Sequence, residues 1–198
     1  MTQISTSTDT EPETVPTHFT IDGRASRFTV RAIATGLLSA MGHNPTMAIR
    51  DFSGGMNFDP AKLEASAFQL VIKASSLAVQ DDISSKDRRE MERLMNEEVL
   101  ESAKYPEIRY EAASISVSRI SDMLLAANLD GELTLHGATR RQLIAARVTL
   151  LGSMLRASGE FALKQTDFGI KLVSVAGGAL KLKDELKFSF EIVARRHE

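Results

Sequence analysis

The 198 residues carry 24 Lys and Arg against 26 Asp and Glu, a formal net charge of −2, so no bulk positive field exists to hold nucleic-acid phosphates. With 43% hydrophobic and 25% charged residues, the composition is that of a soluble globular domain able to bury a core without staples. Cysteine is absent, which excludes disulfides, thiol catalysis and thiolate-held metal.

Residues 1–17, MTQISTSTDTEPETVPT, are polar, with three acids and two prolines. Such a segment cannot bury enough surface to offset its ordering entropy, so a disordered tail is expected ahead of a single domain at 18–198. It has neither the basic nor the apolar region of a secretory signal, and no later run is long enough for a membrane-spanning helix. A cytoplasmic location is the expectation from these residues.

From there the dominant period is two. Phe28 and Val30 alternate with Arg27, Thr29 and Arg31, and Phe68, Leu70 and Ile72 alternate with Gln69, Val71 and Lys73. Ile108 and Tyr110, then Leu125 through Leu135, then Phe161 and Leu163, and finally Leu186 through Ile192 continue the pattern. Alternation gives each strand one apolar and one polar face. A parallel sheet covered on both sides would show continuous apolar runs instead. Turn residues at Ser53-Gly54-Gly55, Asp130-Gly131, His136-Gly137 and Ser158-Gly159 punctuate the strands. Gly131, inside an alternating run, is expected to mark a bulge. About eight such strands hide their apolar faces, without leaving edges, by closing into an antiparallel barrel.

One segment departs from this. Within residues 84–100, SSKDRREMERLMNEEVL, Met91, Leu94, Met95 and Val99 recur at helical spacing behind a Ser84–Asp87 capping arrangement. An amphipathic helix near one barrel opening is expected. Its two methionines either fill core gaps or form a soft wall against a flexible ligand.

Several stretches resemble the YceI-like family of lipid-binding proteins. FTIDGRASRFTVRA at 19–32 is similar to its opening strand, and GLLSAMGHNPTMAIRDFSGGMNFDP at 36–60 to its second segment. DRREMERLMNEEVLESAKYPEIRYEAASI at 87–115 resembles the family's helix and Tyr-Pro strand entry. LDGELTLHGATRRQL at 129–143 follows its G-x-L-T-L-x-G-x-T-[RK] stretch, and 163–195 looks like its D-F-G-I segment and last strand. The resemblance implies an eight-stranded, lipocalin-like antiparallel β-barrel with one helix and an apolar lumen. It implies a polyisoprenoid, quinone or other long-chain lipid as ligand, with binding, sequestration or transport as the function. By that resemblance the periplasm is the alternative location. Where several members carry a His near the end of the first strand, this chain has Ala32; His43 instead resembles a subgroup with Gly-His before the second strand.

The expected ligand-lining residues are Phe28, Val30, Phe52, Phe68, Leu70, Ile72, Met91, Met95, Tyr110, Leu133, Leu135, Phe161, Phe188 and Phe190. His43, Arg140 and Arg141 are candidate headgroup contacts, the two arginines also reading as a solvated strand start. Two other readings stay open. In one the apolar face packs against itself and leaves a ligand-free structural or interaction barrel. In the other, His43 with Ser39 or Ser53 forms the base and nucleophile of a lipid or ester hydrolase. The four histidines, at 18, 43, 136 and 197, have no ligand spacing, so neither a metal site nor a cofactor is expected. His136, at its turn, is expected to bond local backbone. A homodimer stays open.

Overall fold

The protein is described here from a computed structural model, which covers residues 17–35, 44–58, 66–121, 123–175 and 180–196. In chain order the strands are β1 (Thr17–Ile21), β2 (Arg27–Arg31), β3 (Ala34–Thr35), β4 (Thr46–Ile49), β5 (Phe52–Phe58), β6 (Ala67–Lys73) and β7 (Leu77–Val79). After helix α1 (Ser85–Leu94) come β8 (Glu107–Arg119), β9 (Leu124–Leu135), β10 (Ala138–Leu151), β11 (Met154–Lys164), β12 (Ser174–Val175), β13 (Leu180–Leu182) and β14 (Glu185–Arg196). Thr17, expected in the tail, thus opens the first strand.

The main sheet closes on itself. Its order is β1-β5-β6-β8-β9-β10-β11-β14, and β14 pairs back onto β1, all antiparallel. This is the eight-stranded barrel. Three of its staves are bent: β1 runs on as β2, β4 as β5, and β6 as β7, the last across a short turn at Ala74–Ser76. The upper halves β2, β4 and β7 pair in that order from β14. A second sheet of β12, β13 and β3 stands at the same end.

The register explains the hydrophobic pattern. Phe190 opposes Phe28, Leu70 opposes Tyr110, and Ile144 opposes Leu129, so apolar positions of adjacent strands share the inner face. The irregularity expected at Gly131 lies across from it: the β8–β9 register shifts between Ala112 and Ser114. Gly131 is required for a different reason. A Cβ there would stand 2.4 Å from the Glu111 carbonyl and 2.8 Å from the Ala112 Cα, so the two strands approach more closely than any side chain allows.

Between β1 and β2 the chain loops out five residues while β14 advances from Ala194 to Glu191. The ladder is repaired by one side chain. Buried Ser26 accepts from the Val193 N–H at 2.9 Å and donates to the Val193 carbonyl at 3.2 Å. Ser26→Ala leaves the Val193 N–H unsatisfied inside the wall, and the expected loss is about 1–3 kcal/mol of unfolding free energy. Urea denaturation of the two proteins measures it, and coincident curves would contradict this role for the hydroxyl.

The helix begins as the sequence indicates. The Ser84 Oγ accepts from the Asp87 N–H at 3.1 Å and donates to the Asp87 carboxylate at 2.7 Å. The helix then widens into a π turn over Met95–Val99. Two side chains fasten it to the barrel: Arg88 donates to the Val79 and Asp81 carbonyls at 2.9 and 2.8 Å, and Glu92 accepts from the Val79 N–H at 3.0 Å.

Candidate functional site

The inward faces of the eight strands do not meet. They enclose a cavity of about 290 Å³ whose wall runs from Met91 and Leu94 on α1 and Met95 just after it to Leu125, Leu150 and Leu155 at the other end. Among the described residues, none of those lining it is charged. Phe28, Leu70, Ile72, Leu133 and Phe190 are buried and yet line this space. An aromatic band girds one side: Phe161 stacks on Phe188 with centroids 4.8 Å apart, and Phe190 lies 6.1 Å from Phe28. Gly159 leaves room for Phe190, whose ring would be 2.6 Å from any Cβ placed there.

The few polar groups at the wall are spent on the protein itself. The Tyr110 hydroxyl donates toward the carbonyls of Leu129 and Gln142, 3.2 and 3.0 Å away. The Gln165 amide donates to the Lys183 carbonyl at 3.0 Å, and Ser66 is almost fully buried. What the described lining offers is therefore contact and exclusion of water.

Thirteen of the fourteen residues expected to line a ligand site border this cavity. Phe52 does not. It stands outside the lining, opposite Ile72 in the β5–β6 ladder, with its ring edge-on to Phe28 at 4.9 Å. Met91 of α1 and Met95 of the π turn, open between two readings on sequence, both lie on the cavity wall. Missed in the sequence were Ile144, Ala146 and Val148 of β10, which also line it. Their signal was the same alternation, against Ala145, Arg147 and Thr149.

The proposed headgroup residues fare differently. Arg141 is held by the carboxylate of Asp130, which its Nε approaches to 2.7 Å. That guanidinium keeps the Asp130 carboxyl below the usual carboxylate range. Arg140 is exposed and donates to the Thr139 carbonyl at 2.8 Å. His43 lies outside the described residues, as does Ser39. Ser53 is exposed on β5, alternating with the lining residue Met56 and with Phe52 across the strand, so its hydroxyl sits on the outer face. His136 bonds a distant rather than a local carbonyl. With positive φ at both His136 and Gly137, a two-residue hairpin turns the ring under Tyr105, 4.5 Å between centroids, and its Nδ1 meets the Phe168 carbonyl at 3.3 Å. This junction ties the segment after α1 to the β9–β10 hairpin.

These features define a closed antiparallel barrel around a hollow whose described lining is uncharged. The chain belongs to the YceI-like domain family, whose pattern matches residues 13–194. A UPF0312 protein of Pseudomonas savastanoi pv. phaseolicola is 30% identical over 153 residues, covering 74% of this chain and 72% of that protein. Among solved structures, BcnA of Burkholderia cenocepacia superposes with a TM-score of 0.67 at 18% identity, over 87% of this chain and 98% of that one. A polyisoprenoid binding domain from Saccharophagus degradans gives the same TM-score at 15% identity, over 92% and 100% of the two chains. Among the described residues, no helix is long and apolar enough to cross a membrane.

Tyr110 supplies a pH signature of this wall. Burial first, and then the negative charge of Asp130, push its phenol up from 10.0 to about 12. The folded state thus favours the protonated phenol. Its contribution to stability is complete below pH 10 and is lost as pH rises from 10 to 12. Stability measured across that interval is expected to fall less steeply in Tyr110→Phe than in the parent, and equal slopes would contradict the assignment. With two tyrosines and no tryptophan in the chain, ultraviolet titration reads the same ionisation directly.

Proposed function

We propose that this chain binds a long apolar amphiphile, a polyisoprenoid or other long-chain lipid, with the chain inside the barrel and the headgroup outside it. The observation that carries this reading is a lumen wall whose described residues include no charged side chain, its tyrosine and glutamine donors already engaged with backbone carbonyls. Each methylene transferred from water to such a wall contributes roughly 0.8 kcal/mol before the ordering of the chain is counted. Membership of the YceI-like family and likeness to a fold that binds polyisoprenoid in Saccharophagus degradans support it. Sequestration or carriage follows from a barrel that shields the chain from water, with α1 as the fastened end wall. The cavity argues against a barrel filled by its own side chains. The outward placement of Ser53 gives no support to a hydrolytic nucleophile facing the lumen.

The test begins with organic extraction of purified protein and mass spectrometry, which reports occupancy and ligand class together. Phe190 then locates the site. Phe190→Glu is expected to abolish uptake, because an unpaired charge would face the lumen. Phe190→Ala in the delipidated protein is expected to cost about 3–5 kcal/mol, and less when the protein is loaded, since the bound chain occupies part of the space. Equal penalties in both states, or no extractable or added lipid bound by the parent, would overturn the proposal.

A further inference from the structure

The end of the barrel opposite α1 has an unusual rim. Six large hydrophobic side chains are exposed among the described residues, and four of them stand here: Ile120 and Met123 in the β8–β9 connection, Leu150 and Leu151 at the end of β10. The two groups are neighbours through the β9–β10 ladder, where Leu124 opposes Thr149 and Leu125 opposes Val148. The Ile120 N–H donates to the Leu124 carbonyl at 2.9 Å, holding that connection as a turn. Leu150 is at once 41% exposed and part of the lumen wall. The exposed apolar surface is therefore the outer lip of the cavity itself.

Cations surround this lip. Arg119 ends β8, Arg147 and Arg156 lie on the outer face of the β10–β11 pair, and Arg196 ends β14 with its N–H on the Ser153 carbonyl at 2.8 Å. All four are exposed, and none makes an ion pair with a described residue. Asp22 is already taken by Arg195 at 3.0 Å. Asp122, in the β8–β9 connection, lies outside the described residues. An apolar projection collared by arginines that pair with no described carboxylate is the surface chemistry of a protein that seats on an anionic bilayer: the apolar tips enter the headgroup–acyl boundary and the guanidinium groups meet lipid phosphates.

We infer that this rim docks on anionic lipid bilayers, with the lumen opening toward the membrane and α1 facing away. The inference goes beyond occupancy of the lumen and does not depend on which lipid fills it. The test is flotation of the full chain with vesicles of phosphatidylcholine alone and of phosphatidylcholine with phosphatidylglycerol, at low and high salt. Binding is expected only to the anionic vesicles and is expected to weaken as salt screens the arginines. Ile120→Glu with Met123→Glu, and separately Arg147→Gln with Arg156→Gln, are each expected to weaken it at least about tenfold. Leu143→Glu with Leu172→Glu, which changes the two exposed leucines away from the rim, is expected to leave it unchanged. Thermal melting confirms that each variant is folded, and uptake of an apolar fluorescent probe from vesicle-free solution reports the lumen independently. Parent protein that ignores anionic vesicles, or rim and arginine variants that float as well as the parent, would overturn the docking surface even if the lumen binds its probe. So would a rim-dependent dimer in sedimentation with no vesicle binding.

Discussion

The pairing of β14 with β11 on one side and with β1 and β2 on the other is the constraint from which the remaining structure follows. Without it the sheet would be an open ribbon with two long edges and one apolar face exposed to water. With it, every inward side chain is committed to a common interior whose width is set by strand number and tilt rather than by side-chain volume. Eight strands with mostly medium-sized inward residues do not fill that width, and a hollow is left. Ser26, Gly131 and Gly159 serve this closure: one repairs the ladder where the first stave loops out, and two allow close contacts the curved wall demands.

The described lining of the hollow is chemically uniform. Nucleophilic, metal-centred or acid–base chemistry needs charged or polar groups converging on one point. Here the phenol of Tyr110 is turned to backbone carbonyls, and the charged side chains Asp130 and Arg141 pair on the far side of the wall. Binding by contact is what such an interior performs well, with selectivity from length and shape. The asymmetry of its two ends then matters. At one stands α1, fastened through Arg88 and Glu92, with the Tyr105–His136 contact tying down the chain that follows. At the other, the wall passes through Leu150 into solvent.

Much of this was legible in the sequence, because alternation over a strand is a direct record of which face is buried. Phe28, Phe188 and Phe190 could be placed on one face from spacing alone, and the helix from Met91, Leu94, Met95 and Val99. What the sequence did not carry was depth and partnership. Phe52 has the right parity and opposes Ile72, yet its ring packs edge-on to Phe28 and does not border the cavity, and parity says nothing of such packing. Arg140 and Arg141 are adjacent in the chain, but their fates depend on Asp130, ten and eleven residues away and brought alongside only by the β9–β10 register. His136 was placed at its turn correctly, while its actual partners come from residues 105 and 168, which no local rule connects. The exposed rim was equally invisible, since Ile120, Met123, Leu150 and Leu151 assemble only when β8 through β10 pair.

The central claim is that an apolar chain lies along the inside of the barrel. The most direct measurement is anomalous diffraction from crystals grown with a long-chain lipid brominated at the end remote from its headgroup. The expected result is a bromine peak enclosed by lumen residues such as Tyr110, Phe161 and Phe190, with the headgroup outside the barrel. A bromine peak on the outer face of the sheet, or a lumen without bromine in crystals whose dissolved protein retains the lipid, would contradict it.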